Sequence, residues 1–319
     1  MDDRTKRRLK ELQKKKRRQK VFIIKCMLAC AIMLVVLLMA HLITRSMEDN
    51  QQDTLAQNGN NGNSETNLGN NGNSDGKEDT DNNGTEEPVV TPDPNLPEDP
   101  VERLEYLANK NGISMEEYPE RLIELLKKNP QTEEFVINYP TKKEEVSDEP
   151  LAEFIANPDE IPMLFQWDMR WGYYEYCGDV MGLTGCGATC MSMVASYLFQ
   201  DPNLTPVYMA KFSTENKYVI DGGGTTWAMM STGAQKLGLN VKEVPLHMNT
   251  VKQYLEEGHP IICNVGPGYF TEGGHYIVFT GWVDNMLMIH DPNNKEYSET
   301  LWKFSDIQDQ IKNMWVYTR

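Results

Sequence analysis

Histidine and cysteine are scarce in this 319-residue sequence, with five of the first and six of the second, and no Cys-x-x-Cys or His-x-x-x-His pair occurs. A structural zinc site therefore lacks its usual ligand spacing, and no metal or organic cofactor is implied. The triple glycine Gly222–Gly224 is not followed by Lys-Ser or Lys-Thr, so it reads as a turn opening a helix and not as a phosphate loop. Basic residues are few beyond the first 45 positions: residues 46–319 carry 18 basic and 44 acidic side chains, a balance of −26 where the whole chain stands at −16. Phosphate backbones would be repelled, which disfavours nucleic acid and other anionic polymers as partners. The excess of acid reads as solubility outside a cell.

Large apolar residues are nearly missing from Met47 to Pro100, where Asn-Gly-Asn recurs before a cluster of prolines (Pro88, Pro92, Pro94, Pro97, Pro100). Such a stretch cannot bury enough surface to offset the entropy of ordering, so residues 44–100 read as a disordered tether, stiffer towards its end.

The first 43 residues are the opposite. Arg4 to Lys20 holds eleven Lys or Arg against one acid, Glu11, and Val21 to Ile43 is apolar apart from Lys25 and His41. About 20 apolar residues suffice to cross a bilayer as a helix. The reading is a basic cytoplasmic segment over 1–20 and a transmembrane helix over 21–43, with the rest of the chain extracytoplasmic at the cell membrane. A cleaved signal peptide is the rival. The long basic region and the want of a small-x-small site around Met39-Ala40-His41 favour an uncleaved anchor.

After the tether, residues 101–160 read as a short helical spacer or prodomain-like brace. Ser114-Met115-Glu116-Glu117 has the form of a capping box, Leu122, Ile123, Leu125 and Leu126 follow, and Asn129-Pro130 stops the run. From Ile161 onward aromatics and β-formers become denser. Ile161 to Gln166 reads as an entry strand, Trp227, Met230, Ala234 and Leu237 as one side of a helix, and Ile261 to Val265 as a buried strand. His275 to Trp282 and Met286 to His290 read as a hairpin turning at Asp284-Asn285, and Trp315-Val316-Tyr317 as the strand that closes the sheet. Helices followed by antiparallel strands make an α+β domain over 161–319.

Within it, Gly185-Cys186-Gly187-Ala188-Thr189-Cys190 leads into an apolar-periodic run ending at Phe199. That places Cys186 at a helix N-terminus, where unpaired N–H groups and the helix dipole stabilise a thiolate. His275 opens the later β run and Asp291-Pro292 ends the next strand, so the chain holds a thiol, a base and an acid to orient the base. Cys177, Cys190 and Cys263 read as buried, unbridged hydrophobes and Cys26 and Cys30 as membrane-helix residues.

Gln166-Trp167-Asp168-Met169-Arg170-Trp171-Gly172, Gly185-Cys186-Gly187-Ala188-Thr189-Cys190, Gly274-His275-Tyr276-Ile277-Val278 and Asp291-Pro292, in that order, resemble the C39-like cysteine peptidases, a family of papain-like fold. The resemblance implies Cys186 as nucleophile, His275 as general base and acid, and Asp291 as the orienting residue. It also implies Gln166 as a donor to the oxyanion together with the Cys186 backbone N–H. Gln166 lies twenty positions ahead of Cys186, and Ala188 and Cys190 stand where the family often has Pro and Ser. The chain has no transporter domain, so the leader-peptide specificity of the transporter-fused branch is not implied. A peptide or protein is the implied substrate. The readings in competition are an anchored endopeptidase, a wall-directed amidase or peptidoglycan endopeptidase with the same thiol chemistry, and an idle papain-like binding module.

Overall fold

A computed structural model describes residues 93–319. The expected basic segment, the expected membrane span and most of the expected tether lie outside the described residues, among which no helix is long and apolar enough to cross a membrane. Residues 93–99 lie against the first helix: Asp93 accepts from Tyr106 and pairs with Lys110, and Arg103 donates to the Pro97 carbonyl.

Three helices come first: α1 (Pro100–Lys110), α2 (Glu120–Lys128) and α3 (Glu133–Lys142). Asp99 caps α1 by accepting from Val101 and Glu102, with Pro100 at the first position, where its missing N–H costs nothing. Leu104, Ala108, Leu122, Leu126, Phe135 and Val136 form a core that also takes in Tyr173, with Trp167, Met169, Val180 and Leu183 against it. Phe135 stacks on Tyr173 at 4.6 Å between centroids, and the Tyr173 hydroxyl donates to the Phe135 carbonyl. The helices thus share a hydrophobic core with the segment leading to Cys186.

Two short strands, β1 (Glu175–Tyr176) and β2 (Asp179–Val180), and the single turn α4 (Met181–Thr184) precede α5 (Cys186–Phe199). Residues 187–196 of α5 are all buried, Thr189, Ser192 and Ser196 among them, so the helix is enclosed on every side and not on the single face that the apolar periodicity suggests. α6 (Pro206–Glu215) packs on it, and the hairpin β3 (Val219–Ile220) and β4 (Gly224–Thr225) follows.

The sheet has six strands, all pairs antiparallel, built from β5 (Asn240–Glu243), β6 (Ile261–Val265), β7 (His275–Val283), β8 (Met286–His290), β9 (Leu301–Trp302) and β10 (Ile311–Thr318) in the order β5-β10-β6-β7-β8-β9. Side chains alternate along each strand. Ile262, Tyr276, Val278, Trp315 and Tyr317 join the cluster around α5, whereas Ile261, Cys263, Ile277, Phe279, Met314 and Val316 face Val251 and Leu255 of the helix Met248–Glu256. The result is an α+β fold with the sheet sandwiched between helices.

Three expectations need correction. Ile161 to Gln166 is extended and alternates in burial, with Pro162, Leu164 and Gln166 inward, but it joins no sheet: Gln166 N–H goes to the Pro292 carbonyl instead. Alternation reports a half-buried extended chain, whether or not a strand lies beside it. Trp315–Tyr317 does not close the sheet but lies inside it, since β10 runs between β5 and β6. The helix after the triple glycine contains a π turn, Met229–Gly233, which carries burial to Met229, Met230, Gly233 and Ala234 and leaves Trp227 half exposed.

Candidate active site

Cys186 is the first residue of α5, and Gly185 ahead of it supplies no side-chain cap, so the first N–H groups of the helix remain available at the thiol. The thiol is partly exposed while Cys177, Cys190 and Cys263 are buried, and all four are unbridged. Gly187 has a steric reason: a Cβ there would lie 2.5 Å from the Thr225 side chain, so only glycine lets β4 come this close to the helix start. Thr225 is held in turn by the Tyr176 hydroxyl at 2.8 Å and, through its carbonyl, by the Tyr276 hydroxyl at 3.2 Å.

His275 begins β7, opposite Val265 of β6. The β7–β8 turn places Asp284 and Asn285 at φ of +52° and +61°, the left-handed pair a two-residue hairpin needs. Val278 then stands opposite His290, and Asp291 follows one step beyond the paired residues. The hairpin so converts a separation of sixteen positions into a hydrogen bond, His275 Nε2 to Asp291 Oδ1 at 2.8 Å. Both groups are buried, His275 at 7 % and Asp291 at 1 % exposure.

With Nε2 given to Asp291, Nδ1 is the nitrogen left for Cys186. Burial is the strongest influence on the imidazole and opposes its charge. The Asp291 carboxylate, by charge and hydrogen bond, and the Cys186 sulfur after it outweigh burial and hold the His275 pKa up at about 10. The imidazolium is thus the favoured form at neutral pH. Cys177, Cys190 and Cys263 are held as thiols: burial raises Cys177 to about 11 and lifts Cys190 and Cys263 well above the ordinary thiol range, with the nearby Cys186 adding to the effect at Cys190.

Asp291 is fixed from several sides. Its Oδ1 accepts from the Asn293 N–H at 2.8 Å, and its own N–H donates to Ser298 Oγ at 2.9 Å. Asn294 caps the short helix that bears Ser298 by accepting from Tyr297 N–H. Asn293 and Ser298 went unnoticed in the sequence, where the only available signal was an asparagine pair just after Asp291-Pro292, a helix-start composition.

Gln166 is buried between the Asp291 loop and the turn before Cys186. Its backbone N–H donates to the Pro292 carbonyl at 2.8 Å and its Nε2 to the Gly182 carbonyl at 2.8 Å, while Oε1 has no partner. One N–H of the amide remains uncommitted. The structure therefore brings His275 and Asp291 into direct contact, sets Cys186 within the electrostatic reach of His275, and brings Gln166 beside both of their loops. Among the described residues no group of three or more His, Cys, Asp or Glu could hold a metal ion.

Comparison with known proteins matches residues 158–319 to the Peptidase_C39 like family. No curated protein matches. Among solved structures, a Bacillus anthracis protein described as C39-like is 13% identical, with a TM-score of 0.35 over 50% of this chain and 96% of its own. The peptidase domain of Streptococcus ComA, a bi-functional ABC transporter involved in a quorum sensing pathway, is 21% identical, with a TM-score of 0.31 over 42% of this chain and 93% of its own.

Proposed function

The chain belongs to the Peptidase_C39 like family, and from that membership we propose that it is a cysteine peptidase that hydrolyses peptide bonds through Cys186, His275 and Asp291. The buried His275–Asp291 hydrogen bond beside a helix-start thiol carries this reading.

The chemistry follows from the charges. The Cys186 thiolate attacks the scissile carbonyl carbon, forming a C–S bond and placing the negative charge on oxygen. The Cys186 N–H and the free Gln166 N–H are the donors proposed for that oxyanion. Its collapse breaks the C–N bond as His275 passes its proton to the departing amine. Water, deprotonated by His275, then attacks the thioester, and the acid product leaves with the thiol restored. Asp291 keeps the Nε2–H tautomer in place, so that Nδ1 exchanges the proton.

Anchoring in the cell membrane with the peptidase domain outside rests on the sequence: the eleven basic residues before Val21, the apolar run to Ile43 and the acidic remainder. Protease added to wall-stripped cells should release a soluble fragment containing Cys186; a fragment protected until lysis would reverse the orientation. The activity is tested by incubating the full chain and its Cys186→Ala variant with a peptide library. New amino termini that appear only with the native cysteine are the expected result. Cleavage of purified cell wall with no peptide cut would move the substrate to peptidoglycan, and equal inactivity on both would leave a binding domain.

A further inference from the structure

The helical segment ahead of the domain is tied into the loop that bears Asp291. Asn129, between α2 and the next turn, is 4 % exposed; its Oδ1 accepts from Gln131 N–H at 3.2 Å and its Nδ2 donates to the Asn293 carbonyl at 2.5 Å. The same carbonyl accepts from Trp167 Nε1 at 2.9 Å. Asn293 is also the residue whose N–H donates to Asp291 Oδ1 at 2.8 Å. The group that fixes the carboxylate is therefore fixed by two side chains from separate segments, which together occupy both lone pairs of its carbonyl. Gln131 adds to the clamp by donating from Nε2 to Asn294 Oδ1 at 3.2 Å and accepting from Lys295 N–H at 2.9 Å.

We infer that Asn129 is a positioning residue for the His275–Asp291 pair, acting with Trp167 through Asn293, so that helices α1–α3 complete the active site instead of covering it as a removable pro-segment. The inference rests on the proposed triad. A carboxylate orients an imidazole only while its own oxygen stays in place, and the Asn293 N–H that holds Oδ1 lies in a loop with no strand partner. Fixing the Asn293 carbonyl restrains that loop and with it the direction of the N–H. Asn129 Oδ1 alone would do no more than cap the turn Pro130–Thr132. The donor arm is spent on a partner 164 positions away.

The test is the rate at which iodoacetamide alkylates Cys186 at pH 6 in the full chain, mapped by mass spectrometry, with circular dichroism to show that each variant is folded. Asn129→Asp keeps the oxygen that accepts from Gln131 N–H and loses the donor; Trp167→Phe removes the second donor without altering Asn129. Each should slow alkylation at pH 6 roughly three- to tenfold, the worth of one hydrogen bond, in the same direction as Asp291→Asn. After denaturation all should alkylate alike. A wild-type rate in folded Asn129→Asp or in Trp167→Phe would overturn the inference and leave Asn129 a turn cap. His275→Ala separates the two readings: if it too alkylates at the wild-type rate the triad itself fails, whereas a slow His275→Ala beside unchanged Asn129→Asp sinks only the positioning role.

Discussion

The ring of Phe135 occupies the space where Gly182 would carry a side chain: a Cβ there would lie 2.4 Å from the ring. Gly182 also offers the carbonyl that receives Gln166 Nε2. One glycine thus joins the core of the helical segment to the residue proposed as oxyanion donor. Gly182→Ala should destabilise the fold by about 1–3 kcal/mol, the usual cost of overpacking. It should lower kcat further than the loss of folded protein explains, because the carbonyl under Gln166 must shift. Phe135→Leu in the same chain should recover part of both. Thermal melts and kcat on one peptide, measured in parallel, check this; a stable, fully active Gly182→Ala would show that Phe135 simply moves aside.

The balance at His275 gives a pH signature. Its pKa is raised from 6.5 to about 10, so the contribution of its charged form to stability is whole below about 6.5 and is lost as pH rises through about 10. Alkylation of Cys186 in the folded protein should accordingly depend on the charged His275 beside it. Cys177, Cys190 and Cys263, raised by burial, should react only on unfolding. His275→Ala should abolish the low-pH reaction, and Asp291→Asn should weaken it less, since the base remains but is poorly held. Labelling of Cys190 as fast as Cys186, indifferent to His275, would contradict the ion pair.

His290, next to Asp291, titrates in the opposite sense. Burial, partly opposed by the Nδ1–H bond to the Pro162 carbonyl, lowers its pKa from 6.5 to about 4. The unfolded chain therefore binds its proton first, and stability present above about 6.5 declines as pH falls towards about 4. Urea unfolding at pH 7 and pH 5 should show His290→Asn losing less stability over that interval than wild type, by on the order of 1 kcal/mol. Identical slopes would mean that His290 reaches solvent when protonated.

How much of this the sequence disclosed depends on the range over which each residue acts. The β7–β8 hairpin was legible because Asp284-Asn285 names its own turn, and Cys186 because an apolar run after Gly185 starts a helix wherever it lies. The place of β10 was not, since a strand's neighbours depend on chain far away. Nor was the π turn: one residue inserted into the helix moves the buried positions without changing the composition that a 3.6-residue period detects. Asn129 was hidden for a third reason. Asparagine before proline at a helix end already has a local explanation, and nothing nearby reveals that its side-chain Nδ2 reaches the Asn293 carbonyl.

Gln166 gives the sharpest separation of catalysis from mere architecture. Its backbone is bound to the Pro292 carbonyl and its amide to the Gly182 carbonyl, so it is held between the two loops with one N–H to spare. If that N–H serves the oxyanion, it acts only once charge develops on the substrate oxygen, and the resting ion pair has no use for it. Gln166→Ala should therefore leave the pH profile of Cys186 alkylation in place while lowering kcat for amide hydrolysis by about 10²-fold. KM should change little, because ground-state binding does not draw on the donor. Loss of the amide also leaves the Gly182 carbonyl without its partner, which costs stability of about 1–3 kcal/mol, so the assay belongs well below the melting temperature. Gln166→Glu is the informative companion: it fills the same space but puts an acceptor where the donor stood, and its kcat should fall at least as far as that of the alanine variant. A glutamate variant with near-native kcat would remove Gln166 from the oxyanion and leave it as a strut between the Cys186 and Asp291 loops.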